Sequence, residues 1–91
     1  MNKSIKSNLF IVVSESSGNS PYTSSILGAF TEQSDAINLL KTAYKDDLEW
    51  ITSRLYYLED DLEINYYSNT YTQVSYGDLI STNRIEKVII K

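Results

Sequence analysis

Ser25-Ile26-Leu27-Gly28-Ala29-Phe30-Thr31-Glu32-Gln33-Ser34-Asp35-Ala36-Ile37-Asn38-Leu39-Leu40 reads as the end of a strand, a stop and the start of an amphipathic helix. Ile26, Leu27, Ala29 and Phe30 are apolar around Gly28, and a glycine inside such a run marks a bulge or a close backbone approach. Here it suits a helix passing near a sheet. Thr31 is placed to cap that helix, its hydroxyl accepting from an unpaired N–H of the first turn. Glu32 and Asp35 put negative charge where the helix dipole favours it. Downstream, Ile37, Leu40, Tyr44, Leu48, Ile51, Leu55 and Leu58 recur at steps of three or four residues, which is the helical period. Ala36 and Ala43 widen the stripe.

This pattern predicts a helix from Thr31 to about Leu58. Asp46-Asp47 is a candidate break, because Asp46 and Glu49 have the spacing of a capping box. The stripe keeps its phase across that point, which favours one continuous helix. Glu59-Asp60-Asp61 would sit badly at a helix C-terminus, so the helix should stop by Tyr57 or Leu58. Trp50 falls at the edge of the stripe, a core-rim position.

Upstream, Asn8 to Glu15 contains the apolar run Leu9-Phe10-Ile11-Val12-Val13, too short for a helix and rich in β-branched residues. A strand that is apolar on both faces belongs inside a sheet, one face against the helix and the other against a second layer or a partner. Glu15 to Pro21 has turn composition, so Tyr22 to Phe30 should return as the second arm of an antiparallel hairpin. A Ser- and Gly-rich tip can bind anions, but no lysine or helix N-terminus follows it. Downstream of the helix, Leu62 to Tyr67 and Tyr71 to Tyr76 alternate apolar and polar around the turn Ser68-Asn69-Thr70, a second hairpin. Gly77-Asp78 is a further turn signal, and Asp78 to Asn83 is ambiguous. Arg84 to Lys91 reads as a final strand whose charges suit a sheet edge.

Ninety-one residues are enough for one domain with a small core. The chain has no cysteine and no histidine, which removes thiolate chemistry, makes a zinc site improbable and takes away the commonest general base. No run approaches a membrane span, and Leu9 to Val13 is too short for a signal-peptide core. The net charge is −4. Residues 46 to 78 hold eight acids against Arg54 alone, a local balance of −7. Such a window repels phosphate backbones and suits basic partners; equally, it serves as a solvated face that keeps the protein in solution.

Eight tyrosines are present, and six of them (Tyr56, Tyr57, Tyr66, Tyr67, Tyr71 and Tyr76) crowd into the region just after the helix. Tyrosine combines a large apolar body with a polar tip and is enriched at interfaces; it is also a good strand residue. Together with Asp60, Asp61 and Glu63, these tyrosines make residues 56 to 76 the candidate recognition surface. Aromatic side chains on a sheet can stack bases, but that mode needs a positive field. Asp60, Asp61 and Glu63 do not match a calcium loop. No phosphate loop, nucleotide fingerprint or nucleophile elbow is present, and nothing among the twelve acids selects a catalytic pair.

Gly28, Phe30, Thr31 and Ala36 give residues 9–42 a resemblance to small uncharacterised β-β-α accessory proteins of phages, bacteria and large DNA viruses. Those proteins carry a Gly-x-Phe-Ser/Thr step into a helix, with Ala about six residues after the Phe. The resemblance implies a viral or mobile-element accessory role and carries no catalytic residues with it.

The expected fold is α+β: a mainly antiparallel sheet of four or five strands, covered on one face by a long helix, in the order β-β-α-β-β-β. It should form a single domain over residues 1–91, with 1–7 disordered. The expected function is non-enzymatic protein–protein binding or assembly, self-association included, without cofactor or metal, inside a cell or virion. Nucleic acid and membrane are disfavoured as partners. The alternatives are an acidic nucleic-acid mimic that occupies a host defence protein, and a small enzyme acting through carboxylates.

Overall fold

The computed structural model describes residues 7–17, 23–55, 62–77 and 79–90. Its elements are β1 (Ser7–Ser17), β2 (Thr23–Phe30), α1 (Gln33–Leu55), β3 (Ile64–Tyr67), β4 (Tyr71–Tyr76) and β5 (Leu79–Ile90). The five strands form one sheet in the order β2-β1-β5-β4-β3, and every neighbouring pair is antiparallel. The fold is therefore α+β, with one helix on one face of the sheet. The end of the helical pattern at Tyr57 or Leu58, the hairpin tip beyond Ser17 and the disorder expected for residues 1–6 lie outside the described residues; Glu15, Ser16 and Ser17, read as the start of the turn, instead continue β1 and pair with β5. Ser7 is the first residue of β1 and pairs with Ile90.

The helix runs unbroken through Asp46-Asp47, as the continuous stripe implies. It begins later than Thr31. Glu32 O accepts from Asp35 N at 3.2 Å and from Ala36 N at 3.4 Å, so Glu32 holds the cap position and Gln33 opens the helix. The cap thus comes from backbone geometry, one residue beyond the threonine.

Successive strand side chains point to opposite faces, and the register fixes which ones meet α1. Near the helix start, Phe10, Val12, Ala36 and Leu40 are buried, with Phe30, Leu39 and Ile85 packed around them. Further along, Ile51, Val74 and Leu79 are buried, with Tyr44, Leu48 and Leu62 around them. The β1–β2 register shifts between Val12, opposite Gly28, and Val13, opposite Ile26, leaving Leu27 as the extra residue of a bulge. Gly28 sits beside it, under the helix. A Cβ there would lie 3.0 Å from both Leu39 Cδ2 and Phe30 Cε2. The glycine lets α1 lie close on β2, as its place in the sequence implies.

The C-terminal strand departs from the sequence reading. The ambiguous stretch up to Asn83 is, from Leu79 on, the first half of β5. The strand whose charges suggested an edge is the middle strand of the sheet, pairing with β1 on one side and β4 on the other. Arg84 and Glu86 are tolerated there because they project from the face that the helix leaves uncovered. Tight turns join β3 to β4 and β4 to β5. Ser68 N donates to Tyr71 O at 2.9 Å, and Ser68 Oγ accepts from Thr70 N and Tyr71 N. Gly77 adopts φ +59° between Tyr76 and its partner Leu79, a left-handed conformation natural to glycine.

Gly28→Val should lower the unfolding free energy by about 1–3 kcal/mol, because the added methyls must displace Leu39 and Phe30. Urea denaturation measures this, and an unchanged midpoint would refute the close approach of α1 to β2.

Candidate interaction surface

With α1 on one side, the alternate residues of all five strands form a second face that no described element covers. A row crosses it at mid-height: Ile26 on β2, Val13 on β1, Arg84 on β5 and Tyr71 on β4, each opposite the next in register. The next row is Ser24, Glu15, Thr82, Gln73 and Tyr66. Beyond it lie Ile80, Ser75 and Ile64, and at the other end Leu9 faces Val88. Several large apolar side chains on this face stand in solvent: Ile26 is 67% exposed, Tyr66 52%, Ile64 42% and Val88 40%. Isolated exposed hydrophobics are ordinary, but a contiguous patch marks an interaction site.

The charges at the centre of this face are paired within the chain, one cation between two acids. Arg84 Nη1 lies 3.0 Å from Glu15 Oε1, and Arg84 Nε donates to Glu86 Oε2 at 2.8 Å. Hydrogen bonds to Glu86 and then Glu15 raise the Arg84 pKa above its ordinary value, so the guanidinium stays charged at any physiological pH. A depression of about 190 Å³ beside this network is lined by Glu15, Ser16, Ser17, Ile80 and Thr82. It is smaller than the roughly 300–1,000 Å³ typical of small-molecule sites. The face suits a macromolecular surface better than a small ligand.

The tyrosine-rich segment divides between the two faces. Tyr66 and Tyr71 share the open face, with ring centroids 6.1 Å apart, and Tyr71 Oη donates to Gln73 Oε1 at 3.0 Å. Tyr67 projects towards the helix, where its ring lies 5.0 Å from that of Tyr44. Tyr44 Oη in turn donates to Asn65 Oδ1 at 2.6 Å, so this pair anchors β3 to α1. Tyr76 pairs with Leu79 and also lies on the helix side. Glu63 Oε1 accepts from Gly77 N at 3.0 Å, which ties the start of β3 to the β4–β5 turn. Tyr56, Tyr57, Asp60 and Asp61 lie outside the described residues.

One chemistry-bearing cluster has no counterpart in the sequence reading. Between the two apolar clusters under the helix, β5 contributes Ser81 and Asn83, β4 contributes Thr72, and all three are buried. Asn83 Nδ2 donates to Asp47 Oδ2 at 2.7 Å and to Thr72 Oγ1 at 3.1 Å. Asn83 Oδ1 is buried without a hydrogen-bond partner among the described residues, a cost of about 1–3 kcal/mol. Asp47 falls within the apolar stripe, seven residues after Leu40 and four before Ile51, so it must face the sheet. An acid at helical spacing inside the stripe was the available signal.

Burial raises the Asp47 pKa, hydrogen bonds from Ser81 and Asn83 lower it, and the charge of Asp46 raises it, with a net upward shift. Among the described residues, no cluster of three or more His, Cys, Asp or Glu could hold a metal ion, and no helix is long and apolar enough to cross a membrane. Comparison with protein-family models, curated proteins and solved structures gives no match.

Because the folded state holds the Asp47 proton more tightly than the unfolded chain, its contribution is fully present below about pH 3.9 and is lost as pH rises through the folded pKa. Asp47→Asn keeps an acceptor for Asn83 and removes the charge. The stability of this variant relative to wild type should therefore grow between about pH 4 and neutrality. Denaturation curves across that range test it, and a difference independent of pH would contradict a half-buried Asp47 whose pKa is raised.

Proposed function

We propose that this chain is a non-catalytic protein-binding module that docks its partner on the open face of the sheet. The supporting observation is the number of large apolar side chains exposed on that face around its charged centre, Ile26 and Val88 on one side and Ile64, Tyr66 and Tyr71 on the other. A two-layer fold covers only one side of its sheet, and a sheet face this apolar gains from a second layer. Tyr66 and Tyr71 supply the rim aromatics, which suit one apolar and one polar neighbour each. A viral or mobile-element setting rests on the Gly28, Phe30, Thr31 and Ala36 step alone.

A nucleic-acid mimic draws less support from the described surface. Asp47 turns inward to Asn83, Glu63 is engaged by the Gly77 N–H, and Glu15 and Glu86 are held by Arg84. Binding through the open face should accordingly not weaken as salt rises, since screening weakens exposed charge pairs and leaves apolar contacts intact.

The two tyrosine pairs separate the readings. In affinity capture from the native source, Tyr66→Ala/Tyr71→Ala should cost about 2 kcal/mol or more of partner binding, as truncation of an interface tyrosine does. Tyr67→Ala, which faces the helix, should leave the captured proteins unchanged. Capture that survives the double substitution, or is lost only with Tyr67, would sink the proposal.

A further inference from the structure

We propose that the open face packs against the same face of a second copy of this chain, giving a two-fold α-β-β-α sandwich. This rests on the reading of that face as a protein-binding surface and names its occupant. Three features of the face point to a copy of itself.

The first is the pattern along the middle strand. On the open face β5 presents Ile80, Thr82, Arg84, Glu86 and Val88 in order, apolar at both ends with Arg84 at the centre. A two-fold axis lying in the interface, across the strands at the level of Arg84, sets Ile80 of one copy against Val88 of the other. Isologous contacts demand this kind of self-complementarity, and aligned sheet packing accommodates it with the sheets about 10 Å apart.

The second is size. At a rise of about 3.4 Å and a spacing of about 4.8 Å, strands of these lengths span a sheet plane of roughly 650 Å². Side-chain relief brings the contact surface towards the ~800 Å² per partner of a standard stable interface.

The third is charge. Arg84 is already paired with Glu15 and Glu86 of its own chain, so the cation is not offered to an acidic partner. A surface that is apolar at its ends, with its central charges paired inside their own chain, fits it, and the face has that character. Each copy keeps a residual negative charge at the centre and carries −4 overall, so added salt should tighten the association by screening the repulsion.

Val88 and Ile89 provide the test, because they are adjacent in β5, both exposed, and point to opposite faces. Sedimentation of the full chain over a concentration series should show a dimer that tightens with sodium chloride. Ile80→Asp and Val88→Asp should each weaken it at least about tenfold, since each buries a charge in the interface, while Ile89→Asp should leave it intact. The milder Ile80→Ser and Val88→Ser should weaken it in the same order, should an aspartate variant fail to fold. A wild-type monomer throughout the series overturns the proposal. So does a dimer lost with Ile89→Asp and kept with Val88→Asp. If the chain is monomeric yet capture still depends on Tyr66 and Tyr71, self-pairing falls while the protein-binding reading stands; if that dependence is also absent, both fall.

Discussion

The pairing of β1 with β5 is the constraint on which the rest of the structure depends. It runs from Ser7 opposite Ile90 to Ser17 opposite Ile80 without a shift in register, and it joins the two ends of the described chain. β2 adds to one side of this pair, and the β3–β4 hairpin reaches the sheet only through β5. The helix lies over the same two strands, since Phe10 and Val12 of β1 and Ile85 and Leu79 of β5 belong to the clusters that it covers. A one-residue slip of β5 would turn Ile85 to the open face and bring Arg84 beneath the helix. The contacts are also among the most distant that the sequence allows, so loop-closure entropy must be overcome before the sheet repays it.

The two halves of the sequence were legible to different degrees. Leu9 to Val13 announced an internal strand, and the step from Gly28 into the helix announced a close approach; β1 between β2 and β5, and Gly28 beneath Leu39, show both. The helix could be followed through Asp46-Asp47 because its apolar phase persists. Leu79 to Asn83 was illegible because Ser81 and Asn83, although polar, face the core. Their burial depends on Thr72 and Asp47, brought from other elements, and no local pattern encodes that. The charges of Arg84 and Glu86 resembled edge protection, whereas they mark the uncovered face of a central strand. The two situations look alike in sequence, because both put charge on alternate strand residues.

For the candidate surface, the sequence located a dense group of tyrosines and left its sidedness unread. Tyr66 and Tyr67 are adjacent in a strand and must point to opposite faces, so no single surface could use both. One joins Tyr71 on the open face and the other packs on Tyr44. The apolar members of the face, Ile26, Val88, Ile80 and Ile64, come from three strands and are gathered only by the register. The helix-side seam of Asp47, Asn83, Thr72 and Ser81 separates the two core clusters and fixes where α1 sits along β5. Such polar contacts specify position at some cost in stability.

The central claim is a β5 that is bonded on both sides from Ile80 to Ile85 and only to β1 beyond that. Residue-resolved amide hydrogen exchange tests it most directly. Continuous protection is expected through Thr82, Asn83 and Ile85, the last of which donates to Thr70 O at 3.0 Å, with alternate amides exchanging fast from Glu86 onward. Fast exchange at alternate positions within residues 80 to 84, as in an edge strand, would contradict the topology and, with it, the existence of a single open face.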